Sequence, residues 1–275
     1  MANEVNFDAV FDNPNNLVDL FEQSLAKHAN NRLFGTKNPA SGQYEWVTFQ
    51  YVADRVNNLR GALKKLGLSK GDKVGVILHN CTEWFILEQA THGLGGVFVP
   101  MYLQELPKVI EYIVRDAEVK FLFAAHAGVY DKIKDFKNTI PNLDDIFIIF
   151  GDGENSMKAL EEMGKAHPVT SVRPHWSDMA NIVYTSGTTG DPKGVMLHHG
   201  SLTLNARIGL DTYSIDETMH IVAILPWAHV YGLASDLHLY VAAGGGIAFA
   251  ESVDKLIQNF QEVKPTGLCV VPRII

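Results

Sequence analysis

Short, continuous apolar runs recur along this chain, and segments with helical spacing lie between them. Such runs include DKVGVILH, GGVFVP and VKFLFAA, which begin at Asp72, Gly95 and Val119. Runs of this kind are typical of strands buried on both faces, because the helices that connect parallel strands cover the sheet from both sides. The pattern therefore predicts an α/β fold with parallel or mixed sheets covered by helices.

The clearest helix lies between Thr48 and Gly67. Its apolar residues recur at the spacing that one face of a helix requires: Val52, Val56, Leu59, Leu63 and Leu66. Thr48 stands where an N-cap is expected, and Gly67 stands where the helix would end. Before this helix, RLFGTK and QYEWV flank the turn-like segment NPASG and predict a hairpin.

A polar stretch interrupts the alternation from Gly151 to Asp178. We interpret it as a helix and a linker between two αβα lobes, residues 1–177 with the N-terminal hairpin and residues 178–275. The alternation then resumes and reaches a strand-like run in GLCVVPRII at the end of the chain. A parallel strand normally leads into a loop and a covering helix, so we expect the second lobe to be incomplete here.

Charge and cysteine usage exclude several classes of protein. The formal net charge of −8 provides no basic field for phosphate backbones, so we expect no nucleic-acid partner. Cys81 and Cys269 lie far apart in apolar runs, which argues against a disulfide framework. No signal peptide or transmembrane run is visible, so we expect a cytoplasmic protein, compatible with peripheral membrane contact. The sequence carries no signal for the oligomeric state.

A cluster of glycine and hydroxyl residues follows the predicted strand that starts at Asn181. Glycines let backbone N–H groups converge on an anion, hydroxyls add donors, and Lys193 supplies a mobile positive charge. A solvent-facing turn is the alternative. The kinase and GTPase phosphate loop is excluded because Pro192 occupies its second glycine position, and no dinucleotide fingerprint follows any strand. The cluster therefore predicts a phosphate-binding loop of another type.

The segment from Tyr184 to Gly194, YTSGTTGDPKG, resembles the phosphate-binding signature of the adenylate-forming superfamily. That superfamily includes acyl-CoA synthetases, luciferases and peptide-synthetase adenylation domains. LPWAHVYG is similar to the LPxxH segment of fatty acyl-CoA synthetases, and KPTGLCVVPRI resembles a segment that often reads Val-Pro-Arg in long-chain members. GLGGVFVPMY is similar to a strand upstream in the family, so the resemblance covers nearly the whole chain.

The resemblance implies ATP-dependent activation of a long-chain fatty acid. The carboxylate attacks the α-phosphate of ATP to give an acyl-adenylate and pyrophosphate, and the thiol of coenzyme A then displaces AMP. ATP, Mg²⁺ and coenzyme A are the implied cofactors and co-substrates. The residues implied to hold the outer phosphates are Thr185, Ser186, Gly187, Thr188, Thr189, Gly190 and Lys193. Thr185 would also help to ligate Mg²⁺, and Lys193 is a catalytic candidate.

His229 matches the family's aromatic position beside the substrate carboxylate and is the second catalytic candidate. An ordinary, partly buried histidine with a local partner is the alternative. Trp227, Tyr231 and Gly232 belong to the same segment and are candidates for lining the acyl tunnel or the adenine pocket, with core packing as the alternative. His199 matches a family histidine that would orient the turn after the loop, and it lacks cysteine or carboxylate partners at zinc-ligand spacing.

Family members are much longer and carry further motifs downstream. These are a Tyr-Gly-x-Thr-Glu segment, a Thr-Gly-Asp segment and a small C-terminal domain with a catalytic lysine, and none follows YTSGTTG here. We therefore expect the chain alone to be nearly inactive, with at most weak binding of ATP or pyrophosphate. A non-enzymatic binding module is an alternative, as is a ligase for a shorter or aromatic acid, since Leu233 stands where some members place a bulky gate.

Overall fold

The computed structural model describes residues 14–185 and 190–271. The strands are β1 (Arg32–Lys37), β2 (Tyr44–Thr48), β3 (Lys73–Ile77), β4 (Val97–Met101), β5 (Val119–Ala124), β6 (Asp145–Ile148), β7 (Met179–Thr185), β8 (Lys193–His198), β9 (His220–Ala223) and β10 (Gly246–Phe249). The α-helices are α1 (Leu17–His28), α2 (Phe49–Lys65), α3 (Thr82–His92), α4 (Pro107–Asp116), α5 (Ala127–Ile133), α6 (Phe136–Thr139), α7 (Met157–Lys165), α8 (His199–Tyr213), α9 (Leu239–Ala243) and α10 (Leu256–Val263). A π-helix (Gly232–His238) precedes α9, and a 3₁₀-helix (Val253–Lys255) precedes α10.

The larger sheet has six strands in the order β6-β5-β3-β4-β7-β8. Its strands are parallel except β8, which runs antiparallel to β7. The smaller sheet has the order β2-β1-β10-β9, in which only the β1–β2 hairpin is antiparallel. The predicted α/β class and the mixed character of the sheets are therefore confirmed.

Helix α2 shows how closely local sequence determines an element here. The Thr48 hydroxyl accepts a hydrogen bond from the Tyr51 N–H at 3.2 Å, as expected of an N-cap. The predicted apolar positions from Val52 to Leu63 are buried. Gly67 follows the helix with φ +93°, a conformation that favours glycine. The predicted helix and the preceding hairpin are both confirmed.

Two predicted features differ from the structure. The predicted strand-like run that begins at Gly267 is not a strand through Val271, since it contributes one isolated bridge, between Gly267 and Ile221, and residues 272–275 lie outside the described residues. Strand β8 was not among the predicted strands. Its backbone is held by pairing with β7, which the local sequence does not reveal.

Strands from both sides of residue 178 contribute to each sheet. Strands β7 and β8 extend the larger sheet of the N-terminal half, while the β1–β2 hairpin joins β9 and β10 in the smaller sheet. The division at 177/178 therefore does not separate the sheets, and it remains a prediction about domains. Among the described helices, none combines the length and the apolar character needed to cross a bilayer.

Candidate active site

Strands β7 and β8 form the hairpin that carries the predicted phosphate loop. Strand β7 ends at Thr185, which pairs with Lys193 at the start of β8. Ser186, Gly187, Thr188 and Thr189 lie outside the described residues. The described chain resumes at Gly190 with φ +148°, which a residue with a side chain rarely adopts. Thr185 and Lys193 thus stand opposite each other where the loop begins and ends.

A cavity of about 580 Å³, here called the loop cavity, lies beside this hairpin. It is lined by Pro100, Met101, Tyr102, Glu105, Lys108, Val109, Ile113, Val183, Tyr184, Thr185, Gly190, Asp191, Pro192, Val195, His229 and Val230. The carboxyl ends of β4 and β7 meet there, which is where open α/β sheets bind ligands. The structure therefore brings Thr185, Gly190 and His229 together, whereas Lys193 is exposed and outside the cavity wall.

The position of His229 is fixed by its own backbone turn. Its N–H donates to the Pro226 carbonyl at 3.0 Å, and its Nδ1 accepts from the Tyr231 N–H at 3.2 Å. In the neutral ring this arrangement places the proton on Nε2. The exposed imidazole can then donate from Nε2 to an anionic oxygen.

A second cavity, here called the tyrosine cavity, adjoins the other side of the same segment. It measures about 760 Å³ and is lined by Asn205, Gly209, Tyr213, Ile215, Met219, Val230, Tyr231, Ala234, Ser235, Leu239, Tyr240, Thr266, Gly267, Leu268, Cys269 and Val270. Val230 lines both cavities, with His229 on the loop cavity and Tyr231 on the tyrosine cavity. These three consecutive residues thus line both the predominantly apolar tyrosine cavity and the loop cavity at the end of the phosphate hairpin.

Asn80 holds this segment in place, a role that the sequence did not reveal. Its side-chain amide donates to the Leu225 carbonyl at 2.8 Å, and its carbonyl oxygen accepts from the Trp227 N–H at 2.9 Å. Because Asn80 follows β3, these paired bonds fix the backbone before His229 to the end of the larger sheet. A lone asparagine in a loop gives no local signal for such a distant partner.

Trp227 and Gly232 line neither cavity. The Trp227 ring is fully buried, and its centroid lies 5.4 Å from that of Trp84 and 5.9 Å from that of Phe34. A Cβ on Gly232 would come within 2.5 Å of the Pro226 carbonyl oxygen, so close backbone packing requires glycine there. The structure therefore places both residues in packing positions, the alternative that the sequence left open.

Asp236 is a buried carboxyl group that the sequence did not single out. Its side chain lies in the π-helix with 1% exposure, and neither carboxylate oxygen has a hydrogen-bond partner among the described residues. Burial raises its pKa from 3.8 to about 7, although Cys269 and the backbone of Leu225 and Ile224 act in the opposite direction. A π-helix interrupts ordinary helical spacing, so the pattern gave little indication of this environment.

A second buried polar group connects the π-helix to β7. The Asn181 amide donates to Glu88 Oε1 at 3.1 Å, and His238 Nε2 lies 3.4 Å from the same oxygen. All three side chains are fully buried. The strand that leads to the phosphate loop and the helix that follows His229 therefore share Glu88 of α3.

His199 begins α8 directly after β8, and its side chain is buried. Its Nδ1 accepts from the Leu17 N–H at 3.4 Å, and its ring packs edge-on against His92 with centroids 4.8 Å apart. Burial, followed by the nearby His92 and His238, holds its pKa well below 6.5. His199 is therefore a neutral, buried residue at neutral pH, and its role in orienting the turn after the loop remains a prediction.

Comparison with known proteins identifies the class to which this fold and hairpin belong. The family model described as AMP-binding enzyme matches residues 21–275. The chain therefore belongs to the AMP-binding enzyme family, which confirms the resemblance drawn from YTSGTTGDPKG.

Named relatives include acyl-CoA synthetases. Long chain acyl-CoA synthetase 5 of Arabidopsis thaliana is 30% identical over 281 residues, a match that covers 94% of this chain and 42% of the relative. The chain thus spans less than half the length of that relative.

Solved structures share the fold. An anthranilate CoA ligase in complex with anthranoyl-AMP aligns with a TM-score of 0.81 at 25% identity, over 91% of this chain and 48% of that one. A long-chain-fatty-acid-CoA ligase from Archaeoglobus fulgidus aligns with a TM-score of 0.79 at 25% identity, over 91% of this chain and 50% of that one.

Proposed function

We propose that this chain is the part of an AMP-forming acyl-CoA ligase that binds ATP and a fatty acid. In that reaction a carboxylate oxygen bonds to the α-phosphorus of ATP while the bond to pyrophosphate breaks. The thiol of coenzyme A then bonds to the acyl carbon, and AMP leaves. The observation that carries the proposal is the segment from His229 to Tyr231, which lines both the loop cavity and the tyrosine cavity. A carboxylate there would face the phosphates while its tail occupied the second cavity.

The phosphate side rests on Thr185, Gly190, Lys193 and the loop between them. Backbone N–H groups of such a loop act as fixed donors for the departing oxygens, and Lys193 adds a charge at its end. His229 donates from Nε2 toward the carboxylate or the α-phosphate. The exposed Thr185 hydroxyl fits Mg²⁺ held mainly by phosphates and water, since the described residues contain no cluster of metal-binding side chains. Magnesium would neutralise charge on the pyrophosphate.

The acid side rests on the tyrosine cavity. Its apolar wall, with Ile215, Met219 and Leu239 among its members, suits a long acyl chain. Tyr213, Tyr231 and Tyr240 line the same space and favour an aromatic acid as the second candidate, since aromatic rings pack well against one another. The known binding of anthranoyl-AMP by a structural neighbour agrees with this second candidate.

We further propose that the chain alone catalyses little or no adenylation, and that the parent protein is cytoplasmic with at most peripheral membrane contact. In the absence of catalysis the chain would act as a binding module for ATP and an acid, which is the non-enzymatic alternative.

The test combines calorimetric titration of MgATP with ATP–pyrophosphate exchange in the presence of palmitate or benzoate. We expect weak MgATP binding that Lys193→Ala reduces about tenfold, because a charged phosphate contact is lost. Lys64→Ala is the control, since Lys64 is also an exposed lysine but belongs to α2 rather than to the hairpin. Exchange that depends on either acid would contradict inactivity and identify the acid class, and equal binding by both variants would contradict the phosphate site.

A further inference from the structure

Among the described strands, the hairpin of β7 and β8 joins the rest of its sheet through β7 alone. Strand β7 packs along β4, and the register pair between them, Phe98 opposite Asn181, lies in the first half of β7. Beyond that point Val183, Tyr184 and Thr185 line the loop cavity. Strand β8 is the edge strand of the described sheet, and most of its residues are exposed. The end of the hairpin that carries the loop therefore needs an anchor outside the sheet.

Tyr184 supplies such a contact. Its hydroxyl donates to Asp116 Oδ2 at 2.6 Å, and Asp116 is the last residue of α4. Burial and the neighbouring Asp116 raise the pKa of Tyr184, so the hydroxyl keeps its proton as a donor at neutral pH. The bond connects the residue before Thr185 to a helix that also lines the loop cavity.

The ring of Tyr184 also limits which residue can occupy position 194, opposite it on β8. Tyr184 pairs with Gly194, and a Cβ on Gly194 would lie 3.1 Å from Tyr184 Cζ and 2.8 Å from Ile182 Cγ2. The ring thus covers the backbone of β8 directly after Lys193. One tyrosine contacts both strands at the base of the phosphate loop.

We propose that Asp116 is a positioning residue that holds the phosphate loop through the Tyr184 hydroxyl. The bond fixes the end of the hairpin that carries the loop against α4 before ligand arrives. The consequence for ATP rests on the proposed function, whereas the anchoring itself does not.

Hydrogen exchange of the ligand-free chain tests the anchor directly. Tyr184→Phe and Asp116→Ala should each speed amide exchange in residues 182–198 about three- to tenfold, the range expected for one lost hydrogen bond. The double variant should exchange no faster than either single variant, because both changes remove the same bond. Asp116→Asn should restore slow exchange, since its amide oxygen still accepts from the hydroxyl.

Tyr44→Phe is the matched control. The Tyr44 hydroxyl also donates a hydrogen bond, to the Phe249 carbonyl at 2.9 Å, but it lies on the smaller sheet. This variant should leave exchange in the hairpin unchanged. Faster exchange there in Tyr44→Phe, or unchanged exchange in both anchor variants, would overturn the proposal.

Titration with MgATP then tests whether the bond positions the phosphate loop or only stabilises the folded chain. Tyr184→Phe and Asp116→Ala should bind about three- to tenfold more weakly at an unchanged melting temperature, and Asp116→Asn should bind normally. If the unaltered chain binds ATP and the anchor variants bind it equally well, Asp116 does not position the loop. If the unaltered chain binds no ATP, the proposed ligand is wrong, and hydrogen exchange alone decides whether the anchor exists.

Discussion

Asp236 carries a carboxyl group in a place that water does not reach. Burial raises the pKa of Asp236 from 3.8 to about 7. Between these two pH values the carboxyl group therefore keeps its proton in the folded protein, whereas it has lost the proton in the unfolded chain. The free energy of unfolding should therefore fall as the pH rises from about 4 to 7, by up to about 4 kcal/mol from this group, and level off above that. Asp236→Asn cannot ionise, so its stability relative to the unaltered chain should rise over the same interval.

Urea unfolding at several pH values between 4 and 8 checks this prediction. Asp254→Asn serves as the control, because Asp254 is exposed in the 3₁₀-helix. If the free energy of unfolding depends on pH in the same way in Asp236→Asn and Asp254→Asn, the carboxyl group of Asp236 does not titrate as its burial implies.

The candidate site was partly predictable at the scale of single residues. Thr185, Gly190 and His229 were selected by their motifs, and the structure brings them to one cavity, while their roles remain predictions. Asn80 and Asp116 were not selected, because their hydrogen-bond partners lie far along the chain. A motif records residues that are close in sequence, so it cannot report contacts that only the fold creates.

Helices α2 and α7 pack closely because glycine lies at their crossing. A Cβ on Gly164 would overlap the Asn58 carbonyl oxygen, and a Cβ on Gly61 would lie 2.7 Å from the Gly164 carbonyl oxygen. Gly164→Ala should therefore lower the free energy of unfolding by about 1–3 kcal/mol, since the helices must move apart. Gly128→Ala offers a matched comparison in α5, where the nearest atoms belong to the exposed His126 side chain.

The two variants should change the free energy of unfolding in opposite directions. Gly128→Ala should raise stability by about 0.5–1 kcal/mol, because alanine loses less backbone entropy than glycine in a helix. Chemical denaturation of both variants provides the measurement. A stabilising Gly164→Ala would show that the helices can separate at no cost.

The elements themselves differed in how well the sequence predicted them. Helix α2 and the β1–β2 hairpin follow from caps, spacing and turn residues that lie within the element. Strand β8 depends on pairing with β7, and the π-helix contacts residues elsewhere in the chain, such as Glu88 beside His238. Local sequence patterns therefore predict α2 and the β1–β2 hairpin, whereas β8 and the π-helix depend on tertiary contacts.

An aromatic cluster connects the two sheets of the whole molecule. Phe34 of β1 and Phe249 of β10 have ring centroids 5.5 Å apart, and Trp227 lies 5.6 Å from Phe249. Trp84 of α3 packs on both Trp227 and Phe98 of β4, with centroids 5.4 Å and 4.8 Å away. The cluster thus joins the smaller sheet to the larger one. Separating the sheets would expose large apolar rings, so we expect them to unfold together.

A division of the chain at 177/178 tests this cooperativity. Residues 178–275 alone would lack β4 as the partner of β7 and β1 as the partner of β10. We expect this piece to show no cooperative unfolding transition, while the whole chain should give coincident transitions by far-ultraviolet circular dichroism and tryptophan fluorescence. A cooperative transition in the isolated piece would mean that its strands find sufficient packing without the N-terminal half, and that the predicted second lobe is an independent unit. Separate transitions in the whole chain would show instead that the two sheets do not unfold as one unit.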